Sequence, residues 1–415
     1  MGLPLALVFA EADFTVIGFD LDTQKVDALN RGESYIKHIG ADRVAKAVGT
    51  GRFSATADFE GLRACDAVLI CVPTPLGQHR EPDLSFVLES TRAVAARLRP
   101  GQLIVLESTT YPGTTDEDVL PVLEATGLKT PGDFLLAFSP EREDPGNPKF
   151  HTKIIPKVVG GVNDASTEAA VALYELAVDK VVRVSSARVA EASKLLENIF
   201  RSVNIALVNE LKMTFDRMGI DVWEVIEAAR TKPFGFTPFY PGPGLGGHCI
   251  PLDPFYLSWK AAEYGIWTRF IELAGEINTH MPQYVVGKTV TALNEAGRSV
   301  RGARVLVLGL SYKENIDDDR ESPSYEIIEL LQESGAQVAY CDPFFPVARS
   351  GRKHKLQLNS IPCTAEAFAD YDAVVLSTGH SVFRNPDLYA KVGLLVDSRN
   401  AVKLPPGSQT TIVKA

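Results

Sequence analysis

No two cysteines of this chain form a Cys-x-x-Cys pair. The five cysteines, at 65, 71, 249, 341 and 363, also lack metal-ligand spacing with the seven scattered histidines. A dithiol redox motif and the common structural zinc arrangements are therefore excluded, no metal is expected, and a reducing cytoplasm fits best. No apolar stretch approaches the roughly 20 residues that a membrane-spanning helix needs. No basic run exists beyond Gly351-Arg-Lys-His-Lys355, and the net charge is −10. Nucleic acid and anionic membrane surfaces are thus excluded as general partners, and an anionic ligand has to be met by a few local cations. Short repeats and low-complexity segments are absent as well. The apolar N-terminus ends in Ala10-Glu11-Ala12, as signal peptides do, but it lacks a positive n-region and its apolar run is short. Residues 3–12 read as a buried helix.

What is present is an ordinary globular composition, 45% hydrophobic and 23% charged over 415 residues, enough for two or three full cores. Apolar β-rich runs at Thr15–Phe19, Ala67–Val72, Leu103–Glu107, Phe134–Phe138, Lys157–Val159 and Val181–Val184 alternate with helical patterns. Near-continuous apolar runs of this kind predict a buried, mostly parallel sheet with helical crossovers. From Ala187 to about Arg230 the period is helical and Gly and Pro are scarce, which predicts a long connecting helix. A second helical block runs from Asp253 to about Ala296. The α/β pattern restarts with a strand at Arg304–Leu310, then a helix at Tyr325–Glu333 and strands at Gln337–Cys341, Ala373–Ser377 and Leu394–Asp397. The fold class is α/β: two Rossmann-like domains, 1–186 and 298–415, around a central helical region, 187–297.

The densest chemistry lies at residues 242–254, Gly-Pro-Gly-Leu-Gly-Gly-His-Cys-Ile-Pro-Leu-Asp-Pro. Four glycines within six residues let a backbone approach a ligand and adopt positive φ. Asp253-Pro254 has the form of an N-cap and first helical residue, which sets Cys249 just ahead of a helix N-terminus. Partial positive charge there favours a thiolate, a nucleophile in waiting. A glycine-rich turn with an incidental buried cysteine is the bland alternative. For His248, a structural role is the ordinary one.

The first α/β unit begins strangely. Thr15-Val-Ile-Gly-Phe-Asp20 has the form of the second strand of a dinucleotide-binding unit, with Asp20 placed for an adenosine ribose. Ahead of it lie only one helix and Gly2, which stands where the third glycine of Gly-x-Gly-x-x-Gly belongs. The first strand of the N-terminal Rossmann unit and the first two glycines are missing. Its neighbours are then expected to have unpaired edges, and the pyrophosphate to lack its glycine turn. The expectation is a misplaced start, with Met1 internal to a longer product; as it stands, the chain is expected to bind NAD weakly and to be poorly stable.

Three motifs in order resemble the UDP-glucose/GDP-mannose dehydrogenase family: Glu-x-x-Lys-x-x-x-Asn at 191–198, the glycine-rich Cys segment, and Lys313 followed by Asp319-Arg-Glu-Ser-Pro323. The likeness runs from Gly2 to about Val402. Gly-Gly-His-Cys-Ile-Pro at 246–251, Ser108-Thr-Thr-Tyr-Pro-Gly113 and Ser139-Pro-Glu-Arg-Glu-Asp-Pro-Gly146 are similar to members acting on UDP-N-acetylhexosamines, UDP-N-acetylglucosamine ahead of UDP-N-acetylmannosamine or UDP-glucose. The resemblance implies NAD as cofactor, a homodimer or higher homo-oligomer, and four-electron oxidation of a C6 alcohol to a carboxylate through a Cys249 thiohemiacetal and thioester. It implies Lys194 and Asn198 at the developing oxyanion, Asp253 at the hydrolytic water, and Glu141 and Thr109 near the reacting carbon and nicotinamide. Cofactor contacts are expected from Gly2, Asp20, Lys25, Thr74, Thr109 and Arg320. Substrate contacts are expected from Glu141, Arg142, Lys194, Asn198, Gly246, Lys313 and Arg399. The competing readings are a two-electron hydroxyacid dehydrogenase, which would not need Cys249, and an inactive sugar-nucleotide-binding remnant.

Overall fold

The structure is a computed structural model. It describes residues 2–36, 39–77, 81–143, 147, 150–247, 249–348, 354 and 356–415, with Cys249 by its backbone alone. In chain order the elements are α1 (Gly2–Glu11), β1 (Val16–Phe19), α2 (Thr23–Asn30), α3 (Ala41–Gly49), β2 (Phe53–Thr56), β3 (Ala67–Ile70), α4 (Ser85–Ala95) and β4 (Leu103–Leu106). There follow α5 (Leu120–Glu124), β5 (Leu135–Phe138), β6 (Lys157–Gly161), α6 (Asp164–Glu175), β7 (Val181–Arg183), α7 (Ala187–Arg217), α8 (Val222–Arg230), α9 (Cys249–Ala262) and α10 (Arg269–Glu295). The last are β8 (Arg304–Leu308), α11 (Pro323–Glu333), β9 (Gln337–Cys341), α12 (Ala365–Phe368), β10 (Ala373–Leu376), β11 (Leu394–Asp397) and β12 (Thr411–Lys414). Every expected strand is present, and β2 and β12 are additional to them.

The chain forms two compact units, neither continuous in sequence: Met1–Glu197 with Phe255–Trp267, and Asn198–Pro254 with Thr268–Ala415. In the first, β3-β4-β5-β6-β7 make a sheet, parallel except where β6 runs against β5. All four residues of β4 are buried, as a strand covered on both faces requires. Val87 and Val94 of α4 cover Ile104 and Leu106, while α1 and α6 cover Leu103 and Val105 with Leu5, Val8, Ala170 and Tyr174. Strands β1 and β2 form a separate parallel pair. Helix α1 is apolar all round and serves both sheets. Leu5, Val8 and Phe9 face the larger sheet, and Leu3, Leu7 and Ala10 pack with α2, α3 and β2. Among the described residues β1 and β3 each lack a partner on one side.

The second unit holds an all-parallel sheet of order β12-β11-β10-β8-β9. The order reverses between β8 and β10, and open α/β sheets bind ligands at such switch points, outside the carboxyl ends of the strands. Helices α10 and α11 cover one face with Val285, Leu293, Ile327 and Leu331. Phe368, Phe383, Leu388 and Tyr389 cover the other.

Two helical expectations are corrected. The pattern from Ala187 to Arg230 is two helices, because Gly219 at φ +70° ends α7 and Asp221 caps α8 through the Trp223 N–H at 3.0 Å. Helix α9 starts at Cys249 itself, and Pro254 lies inside it. Pro251 falls in the first turn, where an N–H has no intrahelical partner in any case, so the helix can begin before Asp253.

Candidate active site

In the first unit, the carboxyl ends of β3, β4 and β5 deliver the expected residues to one rim. Thr74, buried, donates its hydroxyl to the Thr109 carbonyl at 2.7 Å, and its own carbonyl accepts from the Tyr256 hydroxyl. Ser108 bonds both the N–H and the C=O of Val72, at 2.9 and 2.7 Å. The loops after β3 and β4 are thereby stitched together. The second loop is also pinned from α7. Glu191, fully buried, accepts from the Gly113 N–H at 2.7 Å and from the Thr115 N–H and hydroxyl at 2.9 and 2.6 Å. Burial pushes its carboxyl up to about 7 against these donors. Gly113 adopts φ +109°, a conformation that favours glycine.

After β5, Glu141 is 7% exposed. One carboxylate oxygen accepts from the backbone N–H groups of Arg142 and Glu143 at 2.7 and 2.8 Å, and the other lies 3.5 Å from the Lys157 ammonium. Burial alone would raise this carboxyl, but Lys157, the two N–H groups and Lys194 outweigh it and hold it below its ordinary range. Lys194 is itself buried and, among the described residues, in no ion pair. Arg142 is engaged with Glu197 at 2.6 Å and with the Pro156 carbonyl at 2.6 Å. Behind Glu141, Lys157 also bonds Glu107 at 2.6 Å, and the Tyr174 hydroxyl donates to the other Glu107 oxygen. Sequence reading missed this cluster. Its signal was an acid closing the apolar run of β4 and a lysine opening that of β6, two opposite charges on buried strands that flank β5.

At the end of β1, Asp20 accepts from the Asp22 N–H at 2.9 Å, and Lys25 stands 3.9 and 3.5 Å from Asp20 and Asp22, half-exposed. Gly2 opens α1 beside Cys71; a Cβ there would meet the Cys71 Cβ at 3.6 Å, ordinary contact, so glycine is not sterically required. Nearer the center of the rim, the Thr110 hydroxyl is buried with no partner among the described residues. An orphaned polar atom at the carboxyl end of a parallel strand, with Thr74 and Thr109 beside it, fits a polar cofactor such as NAD.

In the second unit, the Asn198 amide donates to Asp253 at 2.6 Å, and both side chains are buried. Asp253 thus sits in the second turn of α9, tied to α7, rather than capping the helix. His248 and the Cys249 side chain lie outside the described residues. The glycine ledge packs on protein: a Cβ on Gly246 or Gly247 would come within 2.4 or 2.9 Å of Tyr312, and one on Gly242 within 2.4 Å of Arg399. These glycines admit bulky side chains close to the backbone.

At the β8/β10 switch point a cavity of about 450 Å³ is lined by Trp223, Tyr240, Tyr312, Lys313, Thr378 and Arg399. Gly309 is needed behind it, with φ +89° and a Cβ that would lie 2.4 Å from Thr378. Asp397 closes β11 and accepts from the Arg399 and Val402 N–H groups, both at 2.9 Å, which aims the loop. Arg399 donates Nε to the Ser377 carbonyl at 2.8 Å, and desolvation lowers its guanidinium to about 10 despite Asp397 and Glu314. Arg320 pairs with Asp318 at 2.6 Å, and its carbonyl accepts from Gly247 at 2.9 Å. Lys313, Arg384 and Arg399 outnumber Glu227 and Glu314 in the lining, and with the stacked Trp223–Tyr240 rings a cavity of this size suits an anionic aromatic ligand.

Two nucleotide-binding-type sheets joined through long helices define a class, and comparison with known proteins identifies it. Models of the UDP-glucose/GDP-mannose dehydrogenase family match in three parts: the NAD binding domain over residues 1–178, the central domain over 188–280 and the UDP binding domain over 306–404. The chain belongs to this family, an NAD-dependent dehydrogenase family, and NAD is its cofactor. It is 37% identical to a UDP-N-acetyl-D-glucosamine 6-dehydrogenase of Pseudomonas aeruginosa, over 93% of this chain and 89% of that protein. Among solved structures it is similar to a UDP-D-ManNAc dehydrogenase from Pyrococcus horikoshii, with TM-score 0.90, 32% identity and coverage of 99% and 96%. A UDP-N-acetyl-mannosamine dehydrogenase, Cap5O, from Staphylococcus aureus gives TM-score 0.85 and 32% identity, covering 100% and 95%.

Proposed function

We propose that the chain oxidises C6 of a UDP-N-acetylhexosamine, UDP-N-acetylglucosamine in the first place, to the uronate through a covalent adduct on Cys249. The observation that carries this is the buried Asn198–Asp253 bond. It ties the early turns of α9, which opens at Cys249, to α7 one turn beyond Lys194. The substrate preference rests on the 246–251 motif and on the Pseudomonas relative; the two mannosamine dehydrogenase structures favour UDP-N-acetylmannosamine as the second reading.

NAD, when bound, accepts a hydride in each of two oxidations. Thr74, Thr109 and Asp20 would hold it, with Gly2, Lys25 and Arg320 as further contacts. After the first oxidation the Cys249 thiolate adds to the aldehyde carbon, a C–S bond forms, and the carbonyl oxygen takes up a proton. The hydroxyl then gives up its proton to solvent as C6 loses a second hydride, which leaves a thioester. Water attacks its carbonyl, the C–S bond breaks, and the thiolate and the carboxylate part. Lys194 supplies the countercharge to the oxygen anion at C6, and Asn198 a hydrogen bond. Asp253 and Glu141 are the carboxylates available to orient water and take its proton. Lys313, Arg399, Gly246 and Arg142 serve the UDP-sugar. The division at residues 186 and 297 separates the cofactor, helical and nucleotide functions.

With a panel of UDP-sugars, UDP-N-acetylglucosamine is expected to give two NADH per sugar and the uronate as product. One NADH per sugar would refute the four-electron route, and turnover confined to another UDP-sugar would refute the substrate assignment.

We also read the protein as a cytoplasmic homodimer or higher homo-oligomer. No helix among the described residues is long and apolar enough to cross a membrane. Helices α7 and α10, joined by Asn209–Asn278 at 2.9 Å, leave Phe200, Leu207, Phe270 and Leu273 half or more exposed. Phe200→Glu with Leu207→Glu is expected to give a monomer by analytical ultracentrifugation; a wild-type monomer at micromolar concentration would refute the dimer.

A further inference from the structure

The least conventional group in the first unit is Lys157. It opens β6, is 3% exposed, and touches two carboxylates that reach it from different strands. Glu107, after β4, is 2.6 Å away and 1% exposed; Glu141, after β5, is 3.5 Å away. A buried ammonium costs several kcal/mol in desolvation unless it is paired and hydrogen-bonded, so this position is not filled for stability alone. Apolar residues in place of the whole buried cluster would serve the sheet as well.

We propose that Lys157 is a positioning residue for the dehydrogenase reaction: it supplies the countercharge that fixes the Glu141 carboxylate at the rim, while Glu107 and Tyr174 hold Lys157 in place. This rests on the reading of Glu141 as part of the active site.

The division of labour follows from the contacts. One Glu141 oxygen is satisfied by two backbone N–H groups, so its direction is set by its own loop. The other oxygen has Lys157 as its partner. Lys157 in turn is anchored by Glu107, whose second oxygen is occupied by the Tyr174 hydroxyl from α6. The remaining titratable or charged groups around Glu141 are Cys71 after β3, Lys194 on α7, and its neighbours Arg142 and Glu143. Burial pushes the Cys71 thiol up to about 12, so it adds no negative charge, and burial also raises the Glu107 carboxyl against the pull of Lys157. Lys157 stays charged, because its two carboxylates outweigh its burial.

The test compares Lys157→Met with Glu107→Gln. Both disturb the same buried pair, but only the first removes the countercharge. The titration of Glu141 is followed by carboxyl carbon NMR on glutamate-labelled protein, its resonance assigned by loss in Glu141→Gln. In Lys157→Met its midpoint is expected to rise by about one unit or more, the size of effect of an adjacent opposite charge. The acidic limb of the kcat profile is expected to rise with it. In Glu107→Gln neither is expected to rise. If Lys157→Met fails to fold with Glu107 left uncompensated, the double variant Glu107→Gln, Lys157→Met carries the same expectation. An unchanged Glu141 midpoint without Lys157, an equal rise in Glu107→Gln, or an acidic limb that stays in place while the midpoint moves would each overturn the proposal. Wild-type protein that makes no uronate would instead overturn the reading on which it rests.

Discussion

Replacing Cys249 by Ala abolishes uronate formation and caps NADH at one per sugar. Without a sulfur to add to the aldehyde, the carbon cannot become the sp³ thiohemiacetal from which the second hydride leaves. The first oxidation requires no covalent bond and survives as a single turnover. Cys249→Ser separates nucleophilicity from shape. A hydroxyl is far less ionised than a thiol near pH 8, so an adduct forms slowly and the ester that follows hydrolyses slowly. Rapid-quench analysis with labelled sugar nucleotide reads these differences directly: aldehyde-level product and no carboxylate for Ala, slow carboxylate for Ser. Full turnover in Cys249→Ala would remove the cysteine from the reaction.

The second large effect is at Lys194. Lys194→Met is expected to lower kcat by about 10²–10³, the usual loss when one charge-stabilising donor is removed from an acyl-transfer site, with KM for the UDP-sugar little changed. Methionine preserves the length of the side chain and suits its buried place on α7. The loss is expected in both oxidations, since each builds negative charge on the same oxygen. Lys194 also helps to hold Glu141 below the usual carboxylate range. The acidic limb of the variant should therefore move upward as well as the plateau downward. A kcat within threefold of wild type would show that the oxyanion is stabilised by other groups.

Much of this arrangement is legible in the amino-acid sequence. Runs such as Leu103–Leu106 are too apolar and too short to be anything but covered strands, and their alternation with helices dictates a parallel sheet. The spacing of Lys194 and Asn198 sets them one turn apart on a helix, whatever the tertiary fold. The start of α9 was misjudged because Asp-Pro is a good local helix opening. The tertiary bond from Asn198 claims Asp253 instead, and no local rule registers a partner 55 residues away. The glycine run was read as room for a ligand, but Tyr312, more than sixty residues on, fills the space against Gly246 and Gly247. Lys157, Glu107 and Tyr174 were invisible for the same reason. Each is unremarkable in its own segment, and they meet only because β4, β5 and β6 are neighbours in the sheet.

Helix α1 has a consequence for handling as well as for folding. Strands β1 and β3 each present a row of backbone donors and acceptors without a sheet partner among the described residues, and such rows recruit extended segments of other chains. Each strand is only four residues long, and α1 packs against the cores behind both. A lesion in α1, at Leu5 or Leu7, therefore loosens the packing that holds both edge strands in place while leaving the chemical groups untouched. It is felt as protein lost to the aggregate, and the molecules that stay in solution turn over as before.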